Sequence, residues 1–449
     1  MPFVRDESLM FFSGPGGRIW GEDLGPFYAI EVEGEWIWED ITRYIQNVEY
    51  ETATDMCDKL KIQVLNPAHQ FDVIGMPEDP ENQSLPDFTT NRIFLPGNYI
   101  DVFAGYGPYS RAIHLGRTRI WRHIPRFPQD GIAGLDVIGY DAAKTMMSER
   151  SEIKVVGDGR TERRGAADDE EGAVFPQMTH SEIVRNIADK YGYIPDVDDT
   201  DRVDDVVQKR EMTDFALVRG LANINSRDFW LDYDYFDRKA WVLHWKKPPD
   251  NESPIYTFRY RQGNQSTLLT FEPEYNLDDG VTELKVMYFD QATGQWTYLT
   301  EEGATEAEAD PRYRRGGSRG SRNTPSRRSD GRVRAGESGR SIEESITSAS
   351  SLRLAAAGHA IDVVSDRPFT SVADALEFAQ RWMRARRNSF IMATGSIVGV
   401  ETIKARQVHR LEGLGARLDG DWYFTMARHK LFPDQGYTVE FKAHKVLER

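Results

Sequence analysis

The acidic run Asp196-Val197-Asp198-Asp199-Thr200-Asp201 is the first place in this chain to look for chemistry, because clustered carboxylates on a loop can hold calcium. A calcium loop between helices needs Gly at its sixth position and a bidentate Glu at its twelfth. Those positions hold Asp201 and Val207, so the run reads as a solvated acidic loop. Ser151-Glu152-Ile153-Lys154 has the Ser-x-x-Lys spacing of an acyl-transfer nucleophile, yet the companion tripeptides Ser-Asp-Asn and Lys-Thr-Gly do not occur. There is no H-E-x-x-H metal helix and no G-K-[ST] phosphate loop. Gly413-Leu414-Gly415 lies between two predicted strands with no helix after it, which makes it a turn and not a nucleotide cradle. The nine histidines are scattered, and His409 and His429 read as satisfied strand or surface residues. Carboxylates are plentiful, but no motif selects two of them as the acid and base of a glycosidase.

Two compositional signals point to binding instead. Between Pro311 and Arg340 the chain places ten arginines among Gly and Ser, with Arg314-Arg315 and Arg327-Arg328 adjacent. Composition supports a disordered surface insertion. It also supports a basic arm on which Arg312, Arg314, Arg315, Arg319, Arg322, Arg327 and Arg328 dock an acidic partner, since guanidinium groups bind carboxylates and phosphates bidentately. DNA contact is a third reading. The second signal is aromatic: tryptophans such as Trp36, Trp121, Trp230, Trp245 and Trp422 fall on predicted strands. Most should pack in cores, and some should lie at subunit interfaces.

The whole chain sets limits. Its 449 residues call for two to four domains. A net charge of −16 argues against nucleic-acid affinity over the whole surface. The single cysteine, Cys57, excludes a disulfide framework and a cysteine zinc site, and fits synthesis in a reducing cytoplasm. No apolar run approaches the roughly 18–20 residues that cross a bilayer. The start, MPFVRDESLMFF, has no basic region followed by an apolar core, so no signal peptide is expected.

The elements that must position any site are mainly β. Period-two alternation predicts strands at Phe27–Glu33, Ile45–Thr52, Asp58–Leu65, Tyr99–Tyr106, Ala112–His123 and Gly134–Tyr140. Residues 75–98, with Pro77, Pro80, Pro86 and Pro96, read as a long excursion, and residues 151–175 as a polar linker. Thr179-His180-Ser181-Glu182 fits a capping box ahead of Ile183, Val184, Ile187, Ala188 and Tyr191 at helical spacing. A second helix is expected over Thr213–Asn223, then strands at Asp228–Tyr233 and Ala240–Trp245. More β structure follows near Thr257, at Val281–Tyr288, Trp296–Thr300 and Ala360–Val364, and a helix at Ser371–Arg387. Leu411–Phe441 reads as strand, turn, strand, turn, strand. Trp422, Phe424 and Met426 alternate on one face, and Tyr437, Val439 and Phe441 alternate on the return, the pattern of a half-buried antiparallel sheet.

This last stretch carries a family resemblance. The order Thr394–Val400, Leu411-Glu412-Gly413-Leu414-Gly415, Gly420-Asp421-Trp422-Tyr423-Phe424-Thr425, His429 and Gly436-Tyr437-Thr438-Val439-Glu440-Phe441, after a helix, resembles the C-terminal end of phage baseplate hub proteins of the late control D family. That family shares its fold with the hub part of type VI secretion spike proteins. The resemblance is specific over 346–449 and one of layout over 28–300, while the N-terminal arm and the Arg-rich insertion depart from it. It marks Gly413, Gly415, Gly420, Trp422, Tyr423, Gly436, Tyr437 and Phe441 as the sheet-forming motif. The implied fold is mainly β with an α/β insert: two tube-like antiparallel β-barrel domains flanking a small α/β domain. The implied layout is an arm (1–27), a first tube-like domain (28–150), the α/β domain (151–255), a second tube-like domain begun at 256–300 and completed at 346–449, and an insertion at 301–345. The implied function is that of a non-enzymatic homotrimer in the virion tail baseplate. It would join a sixfold tail tube protein to a threefold central spike protein, with tape measure and wedge proteins as further partners. DNA would touch it only in transit, and no cofactor, metal or membrane anchor is implied. The alternatives are a hub-associated peptidoglycan-degrading enzyme and a free-standing β-rich binding protein.

Overall fold

The computed structural model describes residues 26–37, 39–54, 56–65, 93–106, 112–148, 174–200, 203–208, 212–225, 227–249, 252–263, 266–275, 283–290, 295–300, 361–369, 372–388, 390–432 and 436–446. Alternating sequence produces strands where it is strongest. The N-terminal set is β1 (Pro26–Val32), β2 (Glu35–Trp36), the short helix α1 (Glu39–Thr42), β3 (Ile45–Ala53), β4 (Lys59–Leu65), β5 (Tyr99–Tyr106), β6 (Ile113–Arg126) and β7 (Gly134–Tyr140). In β4, Leu60, Ile62 and Val64 are buried, while Lys59, Lys61 and Gln63 on the other face are only partly covered. The helix α2 (Ala143–Ser148) follows β7.

The α/β part begins with β8 (Val174–Thr179), α3 (His180–Lys190), β9 (Ile194–Val197) and β10 (Val203–Val207), and continues with α4 (Asp214–Ile224), β11 (Asp228–Asp234) and β12 (Ala240–Lys246). The expected capping box is present: the Glu182 N–H donates to Thr179 Oγ1 at 3.2 Å, and the Thr179 N–H donates to Glu182 Oε2 at 2.8 Å. Thr213 caps α4 in the same way through the Ala216 N–H. Ile183, Val184, Ile187, Leu217, Val218 and Leu221 share one core with Leu231, Leu243 and Trp245. The acidic run is not a loop throughout. Asp196 lies in β9, which pairs in parallel with β12, and its carboxylate holds His244 and Lys246, each at 2.7 Å. A strand forms here because β9 pairs with β12 and Val197 packs against the α/β core.

The remaining elements are β13 (Thr257–Arg259), β14 (Leu268–Tyr275), β15 (Glu283–Asp290), β16 (Gln295–Thr300), β17 (Ile361–Phe369), α5 (Val372–Asn388), β18 (Ile391–Val398), β19 (Gln407–Glu412), β20 (Gly420–Phe432) and β21 (Gly436–Lys445). The chain divides into two compact units. The first comprises residues 1–272, 394–411 and 422–443, and the second residues 273–393, 412–421 and 444–449. In the second, β15 pairs with β16 antiparallel and with β17 parallel. Leu284, Val286, Tyr288, Leu299 and Phe369 pack there against Ala375, Phe378, Ala379 and Met383, the apolar stripe of α5 at helical spacing.

One large sheet runs in the order β14-β18-β21-β20-β3-β4-β7-β6-β5-β1-β2, with β19 on β20 and β13 on β19. The C-terminal strand β20 therefore pairs with the N-terminal β3, from Met426 opposite Ala53 to Leu431 opposite Val48. The sheet curls on itself within the first unit. Tyr50 of β3 lies over Gly116 of β6, across β4 and β7, where a Cβ would stand 1.8 Å from its hydroxyl. Tyr106 of β5 donates to the Gly399 carbonyl at 2.7 Å, and its ring lies 5.8 Å from that of Tyr437 in β21. The protein is mostly β, with few helices and a large antiparallel sheet, as the sequence leads one to expect. Among the described residues no helix is long and apolar enough to cross a membrane.

Candidate functional site

The turn glycines of the C-terminal motif take the left-handed backbone that favours glycine: φ is +86° at Gly413, +93° at Gly415, +132° at Gly420 and +84° at Gly436. Between β19 and β20 the turn closes on itself. The Leu414 N–H donates to Asp419 Oδ1 at 2.7 Å, and the Asp419 N–H donates to the Gly415 carbonyl at 2.9 Å.

The motif aromatics sit in the first unit. Trp422 is fully buried, edge-on to Phe271 at 5.2 Å. Phe424 stacks on Phe441 with centroids 4.4 Å apart and planes within 9°. Tyr423, expected on the open side of a half-buried sheet, is also buried and donates to Asp228 Oδ2 at 2.7 Å. The half-buried expectation therefore fails over Trp422–Ala427, because protein covers both faces there. Alternation resumes at Arg428: His429 and Leu431 turn inward, while Arg428 and Lys430 turn outward. Arg428 binds Glu51 of β3 and Glu440 of β21, and Lys430 binds Glu440, so charges brace three adjacent strands.

His429 gives the motif its polar centre. It is 1% exposed, and its Nε2 lies 2.7 Å from the Ile403 carbonyl, so Nε2 carries the proton and donates. Nδ1 then accepts from the Tyr437 hydroxyl at 2.6 Å. Burial pushes the imidazole down to about 4 and keeps it neutral. The Tyr437 ring in turn fills the space over Gly399, where a Cβ would come within 2.2 Å of it. His409 is not a surface residue: it is fully buried among Tyr256, Phe258 and Phe424, and burial pushes it down to about 3.

A second buried polar cluster was not foreseen. Asp58, before β4, and Asp141, after β7, meet Tyr50, Asp232 of β11, and Lys404 and Arg406 between β18 and β19. Burial raises both Asp58 and Asp141 above the usual carboxylate range. Burial would raise Asp232 too, but Lys404, Arg406 and His244 outweigh it and hold that carboxylate below the usual range. No local signal could have found this cluster, because its members come from four distant parts of the sequence. A third cluster, also missed, packs Tyr235 against His114 and Phe103 at 5.0 Å each, with Arg117 between Tyr99 and Tyr233.

Arg312, Arg314, Arg315, Arg319, Arg322, Arg327 and Arg328 lie outside the described residues. Among the described residues no group of three or more His, Cys, Asp or Glu side chains is arranged to hold a metal ion.

No protein-family model and no curated protein matches the sequence. Solved structures do match. The tail protein from Neisseria meningitidis MC58 is 11% identical, with a TM-score of 0.56 over 93% of this chain and 96% of that one. The 43 kDa tail protein of prophage MuSo2 from Shewanella oneidensis is 10% identical, with a TM-score of 0.52 over 93% of this chain and 97% of that one. The chain has the fold of these tail proteins.

Proposed function

We propose that this chain is the structural baseplate hub of a contractile phage tail or of a related injection machine. The agreement in fold with two tail proteins along nearly their whole length is the observation that carries this reading. Each subunit contributes two tube-like barrel domains around an α/β domain, so a homotrimer presents six similar units. Such a ring joins a sixfold tail tube to a threefold central spike and encloses the ejection channel. Tape measure and wedge proteins contact it, DNA passes through it, and the Arg-rich 301–345 insertion docks on an acidic neighbour. The protein acts in the virion tail after synthesis in the host cytoplasm, and it performs no catalysis.

Edge chemistry supports assembly. Among the described residues β14 ends the large sheet with one paired neighbour, β18, and its residues beyond Leu268 are almost all exposed. Open strand edges are satisfied when another chain or segment covers them. The hydrolase alternative gains nothing from the buried acid pair, since Asp58 and Asp141 are 4% and 3% exposed and out of a glycan's reach.

Light scattering on the purified chain at two salt concentrations tests the proposal. A mass of three chains, about 154 kDa from a chain of 51.3 kDa, is the expected result. A monomer in both buffers would overturn the self-assembled ring and redirect work to glycan binding and peptidoglycan cleavage.

A further inference from the structure

Three carboxylates and two cations meet inside the first unit; Asp58, Asp141 and Arg406 are buried, while the side chains of Asp232 and Lys404 are about a third exposed. The Asp58 N–H donates to Asp141 Oδ2 at 3.1 Å, and the Asp141 N–H donates to the Asp58 carbonyl at 3.1 Å. The Ala143 N–H donates to Asp141 Oδ1 at 3.0 Å, and the Tyr50 hydroxyl donates to Asp58 Oδ2 at 3.2 Å. Asp232 comes from the α/β part, supports the Trp230 indole N–H at 2.9 Å, and takes Lys404 at 3.1 Å. Arg406, 7% exposed, donates to the Ala53 carbonyl at 2.6 Å and lies over Trp230 at 4.8 Å. The other titratable groups facing the cluster are His244 beside Asp232, and Cys57 and Lys144 on the Asp141 side.

The charges do not balance. Lys404 and Asp232 answer each other at the edge of the cluster, and the buried Asp58 and Asp141 together carry one more unit than the buried Arg406 can answer. A buried site resolves such an excess by holding a proton. Asp232 is the carboxylate with cations against it, so the proton belongs to the other two. We propose that the Asp58–Asp141 pair retains one proton, and that this proton latches residues 399–406 and the α/β part onto the N-terminal strands, so that the joint loosens as pH rises. The latch has reach. The same segment sends the Ala405 N–H to Thr52 Oγ1 at 2.8 Å and supplies the Ile403 carbonyl that fixes His429.

The direction follows from linkage. Burial, against the pull of Arg406, raises Asp58 to about 7, and burial with Asp58 as neighbour raises Asp141 well above its ordinary value. A carboxyl raised in the fold gives its stabilisation fully below its unfolded value near 4, and that stabilisation is lost as pH rises through the folded value.

Cys57, the single cysteine, is buried next to Asp58 and reports opening at this joint. The experiment is alkylation of the full chain by iodoacetamide at pH 6 and pH 8.5, each rate divided by that of the guanidinium-unfolded chain at the same pH. Protection should fall about tenfold between the two pH values in the wild type. Asp58→Asn and Asp141→Asn should each hold protection within about twofold over the same interval. Unchanged wild-type protection overturns the proposal, as does an equal fall in either folded variant. If neither variant folds, the wild-type pair of rates still decides.

Discussion

His429 and Tyr437 show how one hydrogen bond organises a motif. The imidazole has one donor and one acceptor, and both are used, by the Ile403 carbonyl and the Tyr437 hydroxyl. Tyr437→Phe removes the only donor facing Nδ1 in a site closed to water, so the expected cost is about 1–3 kcal/mol of folding stability. Urea denaturation of the variant measures it, and a midpoint equal to wild type would show that the bond carries no net stabilisation. The sequence made Tyr437, Trp422 and Phe441 legible as sheet formers through their alternation. The inward turn of His429 was not legible, because a lone histidine between Arg428 and Lys430 reads as surface until its strand is covered. The four turn glycines were legible for a physical reason: each has a positive φ.

At the scale of elements, local chemistry was the reliable guide. The α3 capping box is written in Thr179 and Glu182, and the structure forms both of its bonds. Thr179→Ala should cost about 1 kcal/mol, read as a shift in the thermal midpoint. A shift no larger than that from an exposed substitution in the helix's last turn, such as Asp189→Ala, would refute the capping role. Strands such as β3 and β4 were legible in the same way, from a period that only a pleat satisfies. The strands β8 and β10 were not: β8 begins where the polar linker was expected to end, and β10 contains Asp204 and Asp205 among valines. Their pairing with each other supplies what their sequences lack. The pairing of β20 with β3 was equally illegible, since its register depends on partners separated by more than 370 residues, as in the bond from Thr52 to the Ala427 carbonyl.

At the scale of the molecule, the buried ionisable groups pull stability in opposite directions. His429 and His409 are neutral in the fold and are pushed down by burial to about 4 and about 3. Each is protonated in the unfolded chain below about 6.5, so the stability each gives is present above that pH and is lost as pH falls towards its folded value. For His429 the loss between pH 6.5 and 4 is on the order of 3 kcal/mol. Asp58 runs the other way: raised to about 7, it gains stability for the fold as pH falls from 7 to about 4, over nearly the same window. Asp58 offsets only part of the loss from the buried histidines, His444 among them, so the wild type should lose stability between pH 7 and pH 4.5. Asp58→Asn removes the offset and leaves the histidines unopposed. Thermal midpoints of that variant should fall more steeply on acidification than those of the wild type, and His429→Gln in the same background should flatten the fall. Parallel midpoint curves for the wild type and the Asp58→Asn variant would mean that Asp58 is ionised in the fold across this range, and the acid response of the whole chain would then rest on its histidines alone.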